Sequence, residues 1–196
     1  MGIKAIFESI NTKKIKIHQG TLIMLIRPVL ICSVIFIVLG IFLQFYKPVL
    51  VTDNFMGELL NRNDLILVST QAFKSRDIRF GDVILHDARA ETDDGETHQY
   101  INRVIGMPGD EIEIKDEYVV RNGVSMEEPY VPGGRTNGEM EKITVPEGCY
   151  FVLGDNRFFS IDSRDERVGF VTKGQVQGKV VRRVLPASRA GDISLE

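Results

Sequence analysis

The sequence predicts a mainly β fold, an antiparallel β domain carried on a single N-terminal transmembrane helix. Three observations lead to this prediction. Residues 28–46 form an apolar run without a charged residue. After Tyr46, short apolar or alternating runs recur, each entered through Gly-Asp or Asn-Asp, and sustained helical periodicity is lacking. A length of 196 residues accommodates one domain of ordinary size together with an anchor.

The anchor is predicted over residues 28–46, which read PVLICSVIFIVLGIFLQFY. As a helix rising about 1.5 Å per residue, this run spans about 28 Å, close to the thickness of a bilayer core. The run is apolar on every face, whereas a surface helix of a soluble protein is apolar on one stripe only. No small-residue cleavage pattern follows it in KPVLVTDN, so we expect a permanent anchor rather than a removed signal peptide.

Charge on the two sides of the anchor predicts its orientation in the cell membrane. Residues 1–27 carry five of the 24 basic residues and only one of the 27 acidic residues, Glu8. Basic residues favour the cytoplasmic side, which places residues 1–27 in the cytoplasm and residues 47–196 on the extracytoplasmic side. The outer domain then holds 19 basic and 26 acidic residues, and this net charge of −7 argues against a nucleic-acid partner.

A recurring turn phrase predicts the strands of the outer domain. Gly and Asn accept positive φ and Asp bonds its own turn, so each phrase marks a turn next to a strand. The sequence RNG (121–123) predicts a hairpin, and long loops are predicted at 87–99 and 131–142. The strand segments, in order, are NDLILV (63–68), GDVILH (81–86), GDEIEI (109–114), GCYFVLGDN (148–156) and a last strand in VVRRVLP (180–186).

Two further stretches concentrate polar side chains. In YINRVIGMPGD (100–110), a strand with a basic residue runs into a turn rich in glycine and proline. GDNRFFSIDSR (154–164) packs charges, an amide and two hydroxyls into eleven residues. These groups are able to satisfy one another's hydrogen bonds, which predicts a hydrogen-bonded platform. The same pattern is equally typical of a polar loop held by a salt bridge.

Cysteine and histidine usage predicts neither a metal site nor a cofactor. Cys32 lies in the anchor and Cys149 in the outer domain, so a disulfide between them is not expected. Cys149 is interpreted as a small buried hydrophobe. His18, His86 and His98 are scattered without the spacing of metal ligands.

Four segments together resemble the type I signal peptidases, membrane-anchored β enzymes of bacteria that cut signal peptides with a Ser–Lys dyad. Residues 81–85, 100–110 and 119–131 resemble three boxes of that family, and residues 154–164 match G-D-N-R-x-x-S-x-D-S-R at every fixed position. The resemblance runs from the anchor to about residue 184. It implies a signal-peptidase-like β domain whose retained cleft and platform residues are Met56, Arg103, Asp155, Ser160, Asp162, Ser163 and Arg164.

The resemblance also exposes two departures at the dyad. The family's first box, roughly S-M-x-P-T-L-x-x-G-D, aligns with FMGELLNRND, which puts Phe55 in the place of the nucleophilic serine. In the box that residues 100–110 resemble, Asn102 stands in the place of the general-base lysine. A benzyl ring has no lone pair to attack a carbonyl, and a carboxamide does not accept a proton at neutral pH. We therefore expect a pseudo-enzyme with no catalytic residues.

Gram-positive bacteria contain signal-peptidase-like proteins without the dyad that serve surface pilus assembly beside sortases, and this sequence is similar to them. The resemblance implies a non-catalytic chaperone or scaffold for pilin polymerisation. The implied partners are pilin or other exported protein segments and a sortase, bound as extended peptides along a strand edge.

Two other functions stay open at this stage. One is an active type I signal peptidase that cleaves signal peptides of exported proteins with a displaced nucleophile. The other is a peptide-binding decoy or regulator of an active paralogue. The residues considered for a displaced nucleophile or its partner are Ser125 within SMEEP (125–129), Asp53, Ser69 with Lys74, Ser75 and His98.

Overall fold

The computed structural model describes residues 19–88 and 98–193 and divides the chain into two compact units, Met1–Leu43 and Gln44–Glu196. Of the predicted cytoplasmic segment, residues 1–27, the first 18 residues lie outside the described part of the chain. The same applies to most of the predicted loop 87–99, since residues 89–97 are not described.

Helix α1 runs over Gln19–Phe45 and contains the predicted anchor. It begins nine residues before the predicted start at Pro28, because residues 21–27 continue the mostly apolar sequence and Gly20 lies only in the first turn. Within it, Ile26–Phe45 is long and apolar enough to cross a membrane, and none of this span is buried in the protein. The predicted end at Tyr46 is one residue too late, since Tyr46 already begins the first strand.

The second unit is mainly β, which confirms the predicted fold class. Helix α2 is a single turn over Ala72–Ser75, and 3₁₀ turns occupy Pro132–Gly134, Lys173–Gln175 and Ala187–Arg189. The strands are β1 Tyr46–Leu50, β2 Leu65–Ser69, β3 Val83–Asp87, β4 Gln99–Gly106, β5 Glu111–Lys115, β6 Tyr118–Arg121, β7 Val124–Ser125, β8 Met140–Thr144, β9 Cys149–Leu153, β10 Val171–Thr172, β11 Val176–Leu185 and β12 Gly191–Asp192.

All the strand pairs described are antiparallel and form two sheets. The larger sheet has the order β1-β2-β11-β3-β4-β9-β10, with β12 pairing with β11, and the smaller has the order β7-β6-β5-β8. The strand predicted at 180–186 is the second half of the longer β11, and it is not the last strand, because β12 follows it. The predicted loop 131–142 contains a 3₁₀ turn and the start of β8.

Some strands alternate between buried and exposed side chains and others are buried throughout, as their sequences predict. β5 alternates between exposed and buried side chains, whereas β4 is buried along almost its whole length because it lies between β3 and β9. The register pairs Asn102 with Ile84 of β3 and Arg103 with Leu153 of β9. The two polar stretches therefore meet, since β4 carries the first and the second follows β9 directly.

Candidate functional site

The polar loop, residues 154–164, folds around the carboxylate of Asp162. This side chain is fully buried, and its Oδ2 accepts a hydrogen bond from the backbone N–H of Gly154 at 3.1 Å. Arg164 closes on the same carboxylate, with Nε 2.8 Å from Oδ1 and Nη2 2.7 Å from Oδ2. The Ser163 hydroxyl accepts from the N–H of Val152 at 2.8 Å. The loop is thus a hydrogen-bonded platform and also contains a salt bridge, so both interpretations of the sequence apply.

Arg103 on β4 fixes the beginning of the polar loop. Its Nε and Nη2 donate to the two carboxylate oxygens of Asp155 at 2.8 and 2.5 Å, and its Nη1 donates to the carbonyl of Gly81 at 3.1 Å. The guanidinium also lies 4.2 Å from the ring centroid of Tyr130. Both charged side chains are buried, so the bidentate geometry positions the loop against β4 with little freedom.

Sequence reasoning misses a second buried ion pair as a part of the site. Arg157 donates from Nη1 and Nη2 to the carboxylate of Glu128 at 2.7 and 2.6 Å, and from Nη1 to the hydroxyl of Thr136 at 2.5 Å. Its Nε donates to the carbonyl of Gly154 at 3.0 Å. The available signal was the family resemblance of residues 119–131, which contain an acidic residue able to pair with the arginine of the loop.

Asn102, at the general-base position of the family, is fully buried on β4. Its Nδ2 lies 3.3 Å from the Ser160 hydroxyl and 3.3 Å from the carbonyl of Ile161. Its Oδ1 lies 2.8 Å from Nε2 of His86. The carboxamide therefore connects a hydroxyl of the polar loop to a buried imidazole.

His86 is the other residue of the site that sequence reasoning misses. Its side chain is fully buried on β3, and Nδ1 lies 3.1 Å from the carbonyl oxygen of Asp87. Burial lowers the pKa of His86, while the hydrogen bonds with Asn102 and Asp87 oppose this shift. The signal in the sequence was an ionisable residue that continues the buried run Val83–Leu85 of a central strand.

Phe55, at the nucleophile position of the family, lies in the turn between β1 and β2. Its N–H donates to Oδ1 of Asp53 at 3.0 Å, and its carbonyl accepts from the N–H of Asn156 at 3.0 Å. The ring packs against an apolar cluster that includes Tyr100 and Ile161, with the Phe55 and Tyr100 centroids 6.4 Å apart. The benzyl group is therefore a packed part of the site.

Gly154 lies between the Ser160 side chain and the Phe55 backbone. A Cβ there would lie 2.1 Å from the Ser160 hydroxyl oxygen and 2.5 Å from the Phe55 carbonyl oxygen, so only glycine fits. Ser160 is thus in direct contact with Asn102 through a hydrogen bond and lies beside the Phe55 backbone.

Met56 lies in the hydrophobic core, whereas the resemblance implied a place in the cleft. Its side chain is 1% exposed and belongs to the core cluster of Leu60 and Ile66, so it contributes packing. Ser160 lines an open cleft of about 380 Å³, and neither Phe55 nor Asn102 is among the residues that line this cleft. Among the other side chains along this cleft are Met140, Arg157, Phe158, Arg164 and Asp165.

The other candidates for a displaced nucleophile are less well placed than Ser160. Ser125 is exposed at the end of the two-residue strand β7, and His98 is exposed before β4. Ser69 lies within β2 and Lys74 within α2, and none of the hydrogen bonds described joins the two side chains. Burial raises the pKa of Asp53, whose carboxylate accepts the N–H of Phe55. Over residues 19–88 and 98–193, no His, Cys, Asp and Glu side chains group as a metal site.

Comparison with known proteins identifies the family. The family model described as "Signal peptidase, peptidase S26" matches residues 22–185. The chain is 38% identical to signal peptidase I of Bacillus caldolyticus over 144 residues, which cover 67% of this chain and 75% of that protein. It is 31% identical to signal peptidase I of Bacillus licheniformis, covering 78% and 83%, and 30% identical to signal peptidase IB of Staphylococcus aureus (strain COL), covering 80% and 87%.

A solved structure also matches. The crystal structure of a signal peptidase I from Enterococcus faecalis covers 53% of this chain and 97% of its own, with 31% identity and a TM-score of 0.44.

The names of these relatives contradict the expectation that the chain is a pseudo-enzyme, because they are named as signal peptidases. The physical reason is that Phe55 and Asn102 exclude only one particular dyad. The sequence match from the anchor to β11 and the shared polar loop lead to one conclusion. The chain belongs to the signal peptidase family, peptidase S26.

Proposed function

We propose that the chain is a membrane-anchored signal peptidase that cleaves exported polypeptides with a nucleophile displaced from residue 55. The names of the relatives support an enzyme of this kind. The observation that carries the proposal is the position of the Ser160 hydroxyl. Ser160 borders an open cleft, and its hydroxyl oxygen lies 3.3 Å from Nδ2 of Asn102, the residue at the general-base position of the family.

The reaction proposed for Ser160 is acyl transfer. Its Oγ forms an ester with the substrate carbonyl carbon, the peptide C–N bond breaks, and the leaving amine takes the hydroxyl proton. Water then hydrolyses the ester and returns the proton to the serine. The polar loop holds the serine in place, since the Ser160 N–H donates to the carbonyl of Asn156 at 3.0 Å. A serine whose backbone is fixed in this way loses little freedom when the substrate arrives.

The proposed substrates are extended segments of exported proteins, such as signal peptides. An exposed strand edge binds such a segment through its backbone, and apolar side chains beside the edge select its residues. Phe158, which is 56% exposed, supplies an apolar contact along the cleft. In this proposal the N-terminus is cytoplasmic and the β domain extracytoplasmic, where exported segments emerge.

Purified full-length chain in detergent micelles, mixed with an exported precursor, tests the proposal. We expect cleavage at one site, and we expect Ser160→Ala to lower kcat/KM at least about 100-fold because the nucleophile is gone. Ser125→Ala is the matched control, since this exposed serine at the end of β7 should leave kcat/KM unchanged. Absence of cleavage by the unmodified chain would overturn the proposal. Full activity of the folded Ser160→Ala variant would remove Ser160 as the nucleophile.

We also propose that pilin segments are among the exported partners and that the chain acts beside a sortase in pilus polymerisation. This partner class is what the resemblance to signal-peptidase-like proteins without the dyad implies, since Phe55 and Asn102 stand at the two dyad positions. Deleting the gene should then shorten pilin polymers on an immunoblot of surface proteins. Polymers of unchanged length after deletion would contradict the role. Crosslinking of the chain to an active signal peptidase instead of pilin would favour a regulatory function.

A further inference from the structure

Three side chains form a row from the buried sheet to the open cleft. His86 on β3 contacts Asn102 on β4, and Asn102 contacts Ser160 in the polar loop. His86 and Asn102 are both fully buried, whereas Ser160 lines the cleft. Water therefore has no access to the two inner members, and they must satisfy each other's hydrogen bonds.

A neutral imidazole of His86 is not able to make hydrogen bonds to both of its neighbours in this row. Nδ1 of His86 faces the Asp87 carbonyl at 3.1 Å, and Nε2 faces Oδ1 of Asn102 at 2.8 Å. Both partners are acceptors, and a neutral imidazole carries only one N–H. The two contacts are both hydrogen bonds only when the ring is an imidazolium, a state that burial disfavours.

If the Asn102 carboxamide is flipped, so that Nδ2 and Oδ1 exchange places, the neutral imidazole is able to make a hydrogen bond through each ring nitrogen. Nδ1–H of His86 keeps its bond to Asp87, and the amide Nδ2 donates to Nε2. Oδ1 of Asn102 then faces Ser160, whose hydroxyl becomes the donor. The turn removes the amide donor from the carbonyl of Ile161, and this loss favours the first orientation when the ring is charged.

We infer that the Asn102 amide couples the protonation of His86 to the hydrogen-bonding role of Ser160. With a neutral imidazole the Ser160 hydroxyl donates to Asn102, and with an imidazolium it accepts from Asn102. His86 is thus a positioning residue that acts through Asn102.

Burial favours the neutral form of His86, whereas the neighbouring acidic side chain of Asp87 opposes this shift. On its own strand, Asp87 contributes an acidic side chain, which accepts from Gln99 and Gln177. On β4 the nearest titratable group is Tyr100, with ring centroids 6.2 Å apart. On β11 the register partner of His86 is Val176, and Lys179 of that strand is bound to Asp82. In the polar loop, the residues beside Asn102 are Ser160 and Ile161, which carry no charge.

The consequence for catalysis rests on the proposed function. When the Ser160 hydroxyl donates to Asn102, its oxygen lone pairs are free for a substrate carbonyl. When the hydroxyl accepts from Asn102, one lone pair is occupied. Because the pKa of His86 is lowered by burial, the neutral state prevails at and above the ordinary histidine pKa of about 6.5. Cleavage should therefore fall as pH drops through the pKa of His86 in the folded protein.

Nitrogen NMR of the full-length chain in micelles, labelled with ¹⁵N-histidine, tests the coupling without any substrate. At pH 7 we expect His86 to be neutral, with the proton on Nδ1 and with Nε2 unprotonated. In Asn102→Asp, the carboxylate offers only acceptors, so we expect His86 to be an imidazolium at pH 7. Exposed His98 is the internal control and should not change. A proton on Nε2 of neutral His86, or an unchanged ring in folded Asn102→Asp, would overturn the inference.

The pH profile of precursor cleavage separates this inference from the proposed function. If the inference and the proposed function both hold, the pH at which kcat reaches half its maximum is higher in Asn102→Asp than in the unmodified chain. If the NMR states are as expected but no precursor is cleaved at any pH, the coupling stands and the proposed function fails. If cleavage depends on Ser160 but its profile is the same in both proteins, the role assigned to His86 fails.

Discussion

Single residues of the site are held by ion pairs from which water is excluded. The side chains of Arg157 and Glu128 are 0% and 3% exposed, and those of Arg103 and Asp155 are 3% and 1% exposed. In such pairs each charge compensates the desolvation of the other, so removal of one partner leaves an uncompensated charge in the interior. These residues position the loop that carries Ser160, and they do not themselves act as reagents.

Glu128→Ala should lower the free energy of unfolding by about 3–5 kcal/mol, because Arg157 then remains buried without its partner. Glu117→Ala is the matched control, since its pair with Arg135 is half exposed and is expected to contribute about 1 kcal/mol or less. Urea unfolding followed by circular dichroism measures both. Equal losses of stability in the two variants would contradict the account of the buried pair.

Phe55→Ser combined with Asn102→Lys should raise the rate of precursor cleavage at least about tenfold above that of the unmodified chain, because it installs the hydroxyl and the amine of the family's dyad. The buried position of residue 102 would lower the pKa of the new lysine and keep it neutral enough to accept a proton. Asn102→Lys alone is the control. A folded double variant no faster than the unmodified chain would show that the site around Phe55 no longer fits the dyad.

At the scale of elements, the backbone of β11 approaches that of β2 closely at Gly178. It pairs with β2 on one side and β3 on the other. A Cβ at Gly178 would lie 2.4 Å from the carbonyl oxygen of Ser69 and 2.8 Å from a methyl group of Val68. The strand therefore needs glycine here, and β3, which carries His86, is held in register by the same strand.

Gly178→Ala should lower the free energy of unfolding by about 1–3 kcal/mol, because the added methyl group forces β2 and β11 apart. Gly191→Ala on β12 is the matched control, since a Cβ there would meet nothing within 4 Å, and we expect unchanged or slightly raised stability. The midpoints of urea unfolding compare the two. A Gly178→Ala variant as stable as the Gly191→Ala variant would contradict the predicted clash.

At the scale of the whole molecule, the chain consists of an apolar helix and a β unit with different requirements. The span Ile26–Phe45 has no buried surface of its own, so its stability depends on a solvent other than water. The β unit buries its own apolar clusters and its ion pairs. Its net negative charge suits an aqueous environment.

Single cysteines test the orientation in a chain that lacks Cys32 and Cys149. With a thiol reagent that does not cross membranes, Lys115→Cys should react in intact cells, because the basic residues before the anchor lead us to expect this exposed residue of β5 on the extracytoplasmic side. Lys4→Cys should react only after lysis. The reverse pattern of labelling would show that the basic N-terminal segment does not determine the orientation.

The sequence by itself determined the apolar span, the positions of most strands along the chain and the polar loop, because each is encoded by neighbouring residues. Hydropathy over twenty residues, turn phrases and local charge pairing need no knowledge of the rest of the fold. The bounds of α1 and β11 were less accurate, since the ends of elements depend on contacts with other parts of the chain.

Only the tertiary structure decided which groups meet in the site. His86 and Asn102 are 16 residues apart, Asn102 and Ser160 are 58 apart, and Glu128 and Arg157 are 29 apart. Their pairing follows from the order and register of β3, β4 and β9, which the strand sequences do not specify. The physical reason is that hydrogen bonds and ion pairs act over a few ångströms in space, whatever the separation along the chain. Phe55 and Asn102 could be read from the sequence, but the hydroxyl beside them could be found only in the folded protein.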